Sequence, residues 1–216
     1  MGTDLASWND IMMASYEQRQ GEFGVLGGFV PWWIKYTSTT GGKHADEFVS
    51  LIAAIVRDAG LPNIAIHTVR KTERTLPGYY RPTKEWDVVV LSDNDLVAVV
   101  EVKSQVGSFG NNFNNRVEEA LGNATDFWAA YSKGAFKPSA QPWLGYLFML
   151  EENPASTRPT RRISLSPYSV DEAFQQLSYA RRYEEVCQRL VRERLYDASR
   201  ESRRRNNTRP HRADGR

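Results

Sequence analysis

With 216 residues, 41% of them hydrophobic and 25% charged, the chain suits one soluble globular domain and is short for two. Its longest apolar runs, Leu96 to Val100 and Leu144 to Leu150, fall far below the ~18 residues of a membrane span, and its first ten residues carry two acids and no basic stretch, unlike an export signal. One cysteine excludes an internal disulfide, that cysteine with three scattered histidines offers no zinc-ligand spacing, and the net charge of +2 is near neutral, so a protein of the reducing cytoplasm is expected.

In chain order, residues 2–22 read as a leading helical segment. The Gly-rich stretch 21–28 after it lacks the spacing and the Gly-Lys-Ser/Thr of a phosphate loop. From Asp46 to Ala59 apolar residues recur at Phe48, Leu51, Ile52, Ile55 and Val56, with Gly60 and Pro62 as stops, which predicts an amphipathic helix. Ile64 to Val69 alternates as a strand, and Leu76 to Thr83 reads as a loop broken by two prolines. Two valine-rich runs, Trp86 to Leu91 and Leu96 to Lys103, flank Ser92-Asp-Asn-Asp95 and predict a β-hairpin. A Gly/Asn-rich link, a helix from about Asn114 to Tyr131, a buried strand from Gly145 to Leu150 and a mostly helical segment from Asp171 to Ala198 follow. This order predicts an α/β fold, a mixed β-sheet flanked by helices. The chain divides into a single domain over residues 1–198, with its catalytic core at about 45–150, and a frayed basic tail over 199–216. Residues 181–216 hold twelve arginines, no lysine and six acids, a net +6 against −4 for the rest, so a polyanion is the expected partner.

The hairpin carries the chemistry. Strand side chains alternate, so Val97, Val99, Glu101 and Lys103 share one face. Burying such a charged pair at the end of an apolar strand is costly unless it has a task. Asp87 on the partner strand falls opposite Glu101 if the turn is Asp93-Asn94-Asp95. A turn of even length would oppose it to Val100, so the functional reading requires an odd turn or a bulge. Two neighbouring carboxylates repel unless a cation lies between them. Mg²⁺ suits such hard oxygen donors, with the Val102 carbonyl as a third ligand. Lys103 is then placed to orient or deprotonate a water, or to stabilise the charge of a phosphoryl transition state. A salt bridge at a strand end is the plainer alternative.

Asp87 with Glu101-Val102-Lys103 resembles the PD-(D/E)-x-K nuclease signature, with Trp86 where the name has proline. More of the chain resembles the XhoI family of type II restriction endonucleases. The residues are Leu76-Pro-Gly-Tyr-Tyr-Arg-Pro-Thr-Lys-Glu-Trp-Asp-Val88, Leu96-Val-Ala-Val-Val-Glu-Val-Lys-Ser-Gln-Val-Gly107, Ser108-Phe-Gly-Asn-Asn-Phe-Asn-Asn-Arg116, Pro142-Trp-Leu-Gly-Tyr146 and Ala180-Arg-Arg-Tyr-Glu-Glu-Val-Cys-Gln188. A proline of the family pattern is absent between Gly107 and Ser108. The resemblance implies a PD-(D/E)-x-K restriction-endonuclease-like fold and a Mg²⁺-dependent homodimer that cuts duplex DNA. It further implies cleavage at the palindrome CTCGAG to leave 5′ overhangs, in a bacterial cytoplasm that also holds a cognate DNA methyltransferase. The alternatives are a DNA-binding or structural module with a silent acidic cluster, or a less specific repair-type nuclease.

Several further residues are candidates for DNA or metal. Asn111, Asn112, Asn114, Asn115 and Arg116 open a helix just after the catalytic strand, where Asn pairs with adenine and Arg with guanine, or where Asn caps the helix. Tyr80, Arg81 and Lys84, with Tyr79, precede Asp87 and are placed to hold backbone phosphates, or the tyrosines pack against the sheet. Gln105 is on the strand face of Lys103 and is placed to hold water or phosphate, or is a surface residue. Asp46 and Glu47 suit the dipole of their helix, and either is a candidate additional metal ligand, Asp46 in particular.

Overall fold

Valine is the residue that makes the centre of this protein a sheet. Val88, Val89 and Val90 face Val100, Val99 and Ala98 in antiparallel register, and all six are buried. β-Branched side chains suit such a pleated, enclosed surface. In this computed structural model residues 33–36, 43–58, 60–61, 63–105, 107–137, 139–152 and 154–197 are described, with the backbone alone for 33–36, 43–48 and 51. The leading segment 2–22 and the tail 199–216 lie outside the described residues.

The elements are β1 (Trp33–Tyr36), α1 (Lys43–Asp58), β2 (Ile64–His67), β3 (Thr75–Pro77), β4 (Thr83–Glu85), β5 (Val88–Ser92), β6 (Asp95–Gln105), α2 (Phe109–Ser132), β7 (Trp143–Glu151), the single turn α3 (Pro154–Thr157) and α4 (Tyr179–Arg192). The main sheet runs β1-β7-β6-β5-β2. Its β1/β7 and β7/β6 pairs are parallel, while β6/β5 and β5/β2 are antiparallel. The expected mixed sheet flanked by helices is the fold observed. β7 is apolar up to the terminal Glu151, with all nine residues buried, as a strand between two parallel neighbours requires. The parallel β6 and β7 need a long crossover, and α2 supplies it. Ile52, Ile55 and Val56 of α1 and Tyr183, Val186, Leu190 and Val191 of α4 bury the apolar stripes of their helices. Among the described residues no helix is long and apolar enough to cross a membrane.

Four local expectations are corrected. The hairpin turn has two residues, Asp93 and Asn94, both with positive φ, and not three. The odd residue enters as a bulge: Val90 pairs with Ala98 but Leu91 with Leu96, leaving Val97 over. The proline-broken loop contains a small antiparallel sheet, β3 with β4. α2 begins at Phe109, so the Asn-rich stretch belongs to the helix and is not a link. Gly107 and Ser108, both with positive φ, make the break from the strand. Helix in the 171–198 region is confined to a 3₁₀ turn, Glu172–Phe174, and α4, which Ser178 caps by accepting the Arg181 N–H. The strand β1 carries no signal that the sequence reading identified.

Candidate active site

The bulge at Val97 fixes the geometry of the site. Beyond it the register Val88 to Val100 continues, which sets Asp87 across from Glu101. The alternative register, with Asp87 opposite Val100, is therefore not the one adopted. Asp87 Oδ2 accepts the Val102 N–H at 2.7 Å, locking its carboxylate against the end of β6. Glu101 is 2% exposed, a carboxylate enclosed in the core, and two ammonium groups meet it. Lys103 Nζ donates to Oε1, and Lys84 Nζ lies 3.0 Å from Oε2.

Lys84 arrives from the small second sheet. On β4 its side chain turns inward while Thr83 and Glu85 face out, as strand alternation dictates. That sheet is pinned in place: Arg74 pairs with Glu85 at 2.6 Å and donates to the Trp86 carbonyl, and the Trp86 N–H donates to Arg74 O at 2.9 Å. The Lys84 ammonium also lies 4.4 Å from the Trp86 ring centre, and Trp86 packs edge-on against Phe127. Burial holds the Lys84 pKa below the ordinary lysine value despite the attraction of Glu101. Burial, and next the neighbouring charge of Glu101, push the Asp87 pKa above the ordinary aspartate value, which the Val102 N–H offsets only in part.

Two carboxylates thus face each other, with both lysines on Glu101 and a single backbone N–H on Asp87. Among the described residues no group of three or more His, Cys, Asp and Glu side chains converges, so a zinc-type cage is absent there. One or two carboxylates with water is the set that Mg²⁺ takes, and the Asp87 pKa, raised first by burial and next by Glu101, belongs to the less compensated carboxylate of the two. The donor set fits that ion. Asp87 and Glu101 would hold it. Cys187 is buried and its thiol is pushed up to about 12 by burial, so it is neither nucleophile nor ligand.

The other sequence candidates separate into groups. Lys84 joins the acidic cluster and is 11% exposed, so it is not a free cation on the surface. Arg81 is committed elsewhere: its Nε pairs with Asp126 at 2.8 Å and its Nη2 donates to Asn123 Oδ1 at 3.0 Å. Asp126 also accepts the N–H groups of Tyr79 and Tyr80, at 2.9 and 2.7 Å, and so latches the 78–82 loop to α2. Both tyrosine side chains are exposed, in edge contact at 4.9 Å, and neither packs beneath the sheet. The sequence reading missed Asp126 and Asn123. The only available signal was Gly78, where an added Cβ would lie 2.6 Å from Arg81 O and 2.7 Å from Asp126 Oδ2.

Gln105 is buried and bridges the Gly107 carbonyl and the Tyr183 hydroxyl, so it braces the strand end and does not face the carboxylates. On α2, Asn111, Asn114 and Asn115 share an exposed face, while Asn112 and Arg116 flank it half-buried. None of the four asparagines caps the helix. Ser108 is the N-cap, and its side chain makes no capping bond. Arg116 pairs with Glu119 at 2.6 Å. The side chains of Asp46 and Glu47 lie outside the described residues.

Comparison with known proteins gives the family. The family model described as restriction endonuclease XhoI matches residues 34–211. The chain is 46% identical over 168 residues to the type II restriction enzyme BstVI of Geobacillus stearothermophilus, covering 75% of this chain and 74% of that protein. It is 51% identical over 127 residues to the type II restriction enzyme AbrI of Azospirillum brasilense, covering 58% and 56%. It is 45% identical over 152 residues to the type II restriction enzyme XhoI of Xanthomonas vasicola, covering 70% and 61%. No solved structure matches. With a family match over most of the chain and a mixed sheet that sets Asp87 against Glu101, this protein belongs to the XhoI family of restriction endonucleases.

Proposed function

We propose that the chain is a Mg²⁺-dependent endonuclease that cuts both strands of duplex DNA within a palindromic sequence. One observation carries the reading: the bulged hairpin opposes Asp87 to Glu101 and brings Lys103 onto the Glu101 carboxylate. The ion held by Asp87 and Glu101, with the Val102 carbonyl as the candidate third ligand, supplies Lewis-acid charge stabilisation at the scissile phosphate. The remaining work falls to the chain itself. Lys103, its ammonium held at the strand end by Glu101, orients the attacking water and offsets the charge that develops on the phosphate. The Val102 N–H fixes the rotamer of Asp87. Trp86 and the β3–β4 sheet close the cluster from one side and exclude bulk water, which strengthens every charge interaction inside.

A palindromic target calls for two copies of the chain, each reading one half-site, so the functional unit is a homodimer. The proposed target is CTCGAG with 5′ overhangs, in a bacterial cytoplasm where a cognate methyltransferase protects the host DNA. The nuclease domain is taken as 1–198, with 199–216 a basic tail. Supercoiled plasmid incubated with Mg²⁺, followed by sequencing of the product ends, tests all of this. Discrete fragments ending at one sequence are expected. A smear would mark a non-specific nuclease, and intact plasmid a silent DNA-binding module.

A further inference from the structure

Beyond Gln105, β6 runs into a groove of about 660 Å³ between the start of α2 and the segment after α3. Gly107, Gly110, Arg158, Thr160, Arg161 and Tyr179 are the lining residues that matter here. We propose that this groove grips a backbone phosphate of the DNA a few nucleotides from the scissile bond, through the guanidinium groups of Arg158 and Arg161. The proposal rests on the reading of the chain as a DNA endonuclease.

Four observations carry it. First, the cations are unspent. Arg161 and Arg158 have no acidic partner among the described residues, whereas their neighbour Arg162 lies 3.8 Å from Glu172. No acid lines the groove. Glu151, at the end of β7, turns its carboxylate to the Gly107 N–H at 3.0 Å and is buried. Second, the wall is built and does not drift. Arg182, itself buried, donates to Thr160 Oγ1 from behind and stacks over Tyr179 at 5.3 Å, which adds a third positive charge. The Thr160 N–H and hydroxyl both donate to the Leu177 carbonyl, at 3.2 and 2.9 Å.

Third, Gly110 makes room for a donor. A Cβ there would lie 2.7 Å from the Tyr179 hydroxyl, so only glycine allows that hydroxyl to reach the rim. Fourth, the groove is rigidly tied to the active site. Gln105 and Glu151 hold Gly107, which lies only four positions beyond Lys103, at most ~14 Å of extended chain. A concave recess receives the convex sugar-phosphate ridge. Base edges require an element that protrudes into a DNA groove, which the exposed asparagine face of α2 is.

The test uses the full chain carrying Glu101→Gln, so that DNA is bound and not cut. Duplexes with and without the cut site are titrated by fluorescence anisotropy across a range of salt. Arg158→Gln with Arg161→Gln should weaken both duplexes by roughly tenfold or more at physiological salt, and flatten the log–log salt slope by about 2. In parallel, the parent chain is titrated with duplexes bearing one uncharged methylphosphonate at successive positions. One position near the cut should lose affinity in the parent and none further in the double variant, and the parent arm stands even if the variant does not fold. An unchanged salt slope together with no sensitive position overturns the groove while leaving the nuclease reading intact. A loss confined to one base pair of the site also overturns it, by making these arginines base readers. A parent that binds no duplex DNA removes both readings at once.

Discussion

Two aspartates of this protein, Asp126 buried and Asp87 half-buried, have opposite fates. Asp87 and Asp126 both lose water, and for both this burial favours the protonated form. Asp126 is nonetheless held below the ordinary aspartate pKa, because two backbone N–H groups and the Arg81 guanidinium outweigh its burial. Asp87 receives a single backbone N–H and faces Glu101, and its pKa is raised. The first carboxylate has its donors complete and serves as a latch. The second has one backbone donor, because both neighbouring lysines are engaged by Glu101. Burial alone therefore does not mark a functional acid. Incomplete compensation does.

The comparison breaks most visibly in activity. Glu101→Gln should abolish cleavage by several orders of magnitude, measured as single-turnover cutting of a plasmid at saturating enzyme, with far-ultraviolet dichroism unchanged. Lys103→Ala should lose almost as much, and Lys103→Arg should not restore it, since a guanidinium is larger, planar and always charged. Near-parental cutting by either lysine variant would reduce Lys103 to a generic positive charge.

On the latch side the effect moves to stability. Asp126→Ala removes the acceptor of three bonds and leaves Arg81 with Asn123 alone, so it should destabilise the fold by about 2–3 kcal/mol in urea titration. Cutting at low temperature should change far less than in Glu101→Gln. Gly78→Ala forces a Cβ against Arg81 O and Asp126 Oδ2, and should cost about 1–3 kcal/mol by the same titration. The smallest effect is on pH dependence. Because the folded pKa of Asp126 lies below the ordinary aspartate value, its contribution is full above that ordinary value and is lost as pH falls through the folded one. The melting temperature of the parent should therefore drop more steeply below about pH 4 than that of Asp126→Asn. Parallel curves would mean that the latch carries no net charge interaction.

Much of this was legible in the sequence because valine runs and their turn residues are local signals. The hairpin, the buried strand near Gly145 and the helix of residues 46–59 all appear close to where periodicity puts them. Even the need for an odd residue in the hairpin was readable, although the chain meets it with a bulge at Val97 and not with a longer turn. The two-residue turn is natural in retrospect, since Asp and Asn tolerate the positive φ that both positions adopt. What stayed hidden depends on contacts between distant segments. Nothing in the string Thr83-Lys-Glu85 says that Lys84 turns toward a carboxylate 17 residues away, because that follows from β3 pairing with β4. Arg81 looked free beside two tyrosines, and its partner lies 45 residues on, on α2. The start of α2 was hidden for a different reason: glycine and asparagine are poor helix formers, and packing of Phe109 and Phe113 near Tyr179 overrides that preference.

The claim that Asp87 is held under charge tension for the sake of function is tested by one paired measurement on Asp87→Asn. The amide keeps an oxygen to accept the Val102 N–H and removes only the charge. Thermal melting in the absence of divalent ions and single-turnover cleavage with Mg²⁺ are measured on the same preparation. The account predicts a melting temperature equal to or above that of the parent, with cleavage lost. A variant that cuts at near-parental rate, or one that melts several degrees lower as Asp126→Ala should, would contradict it.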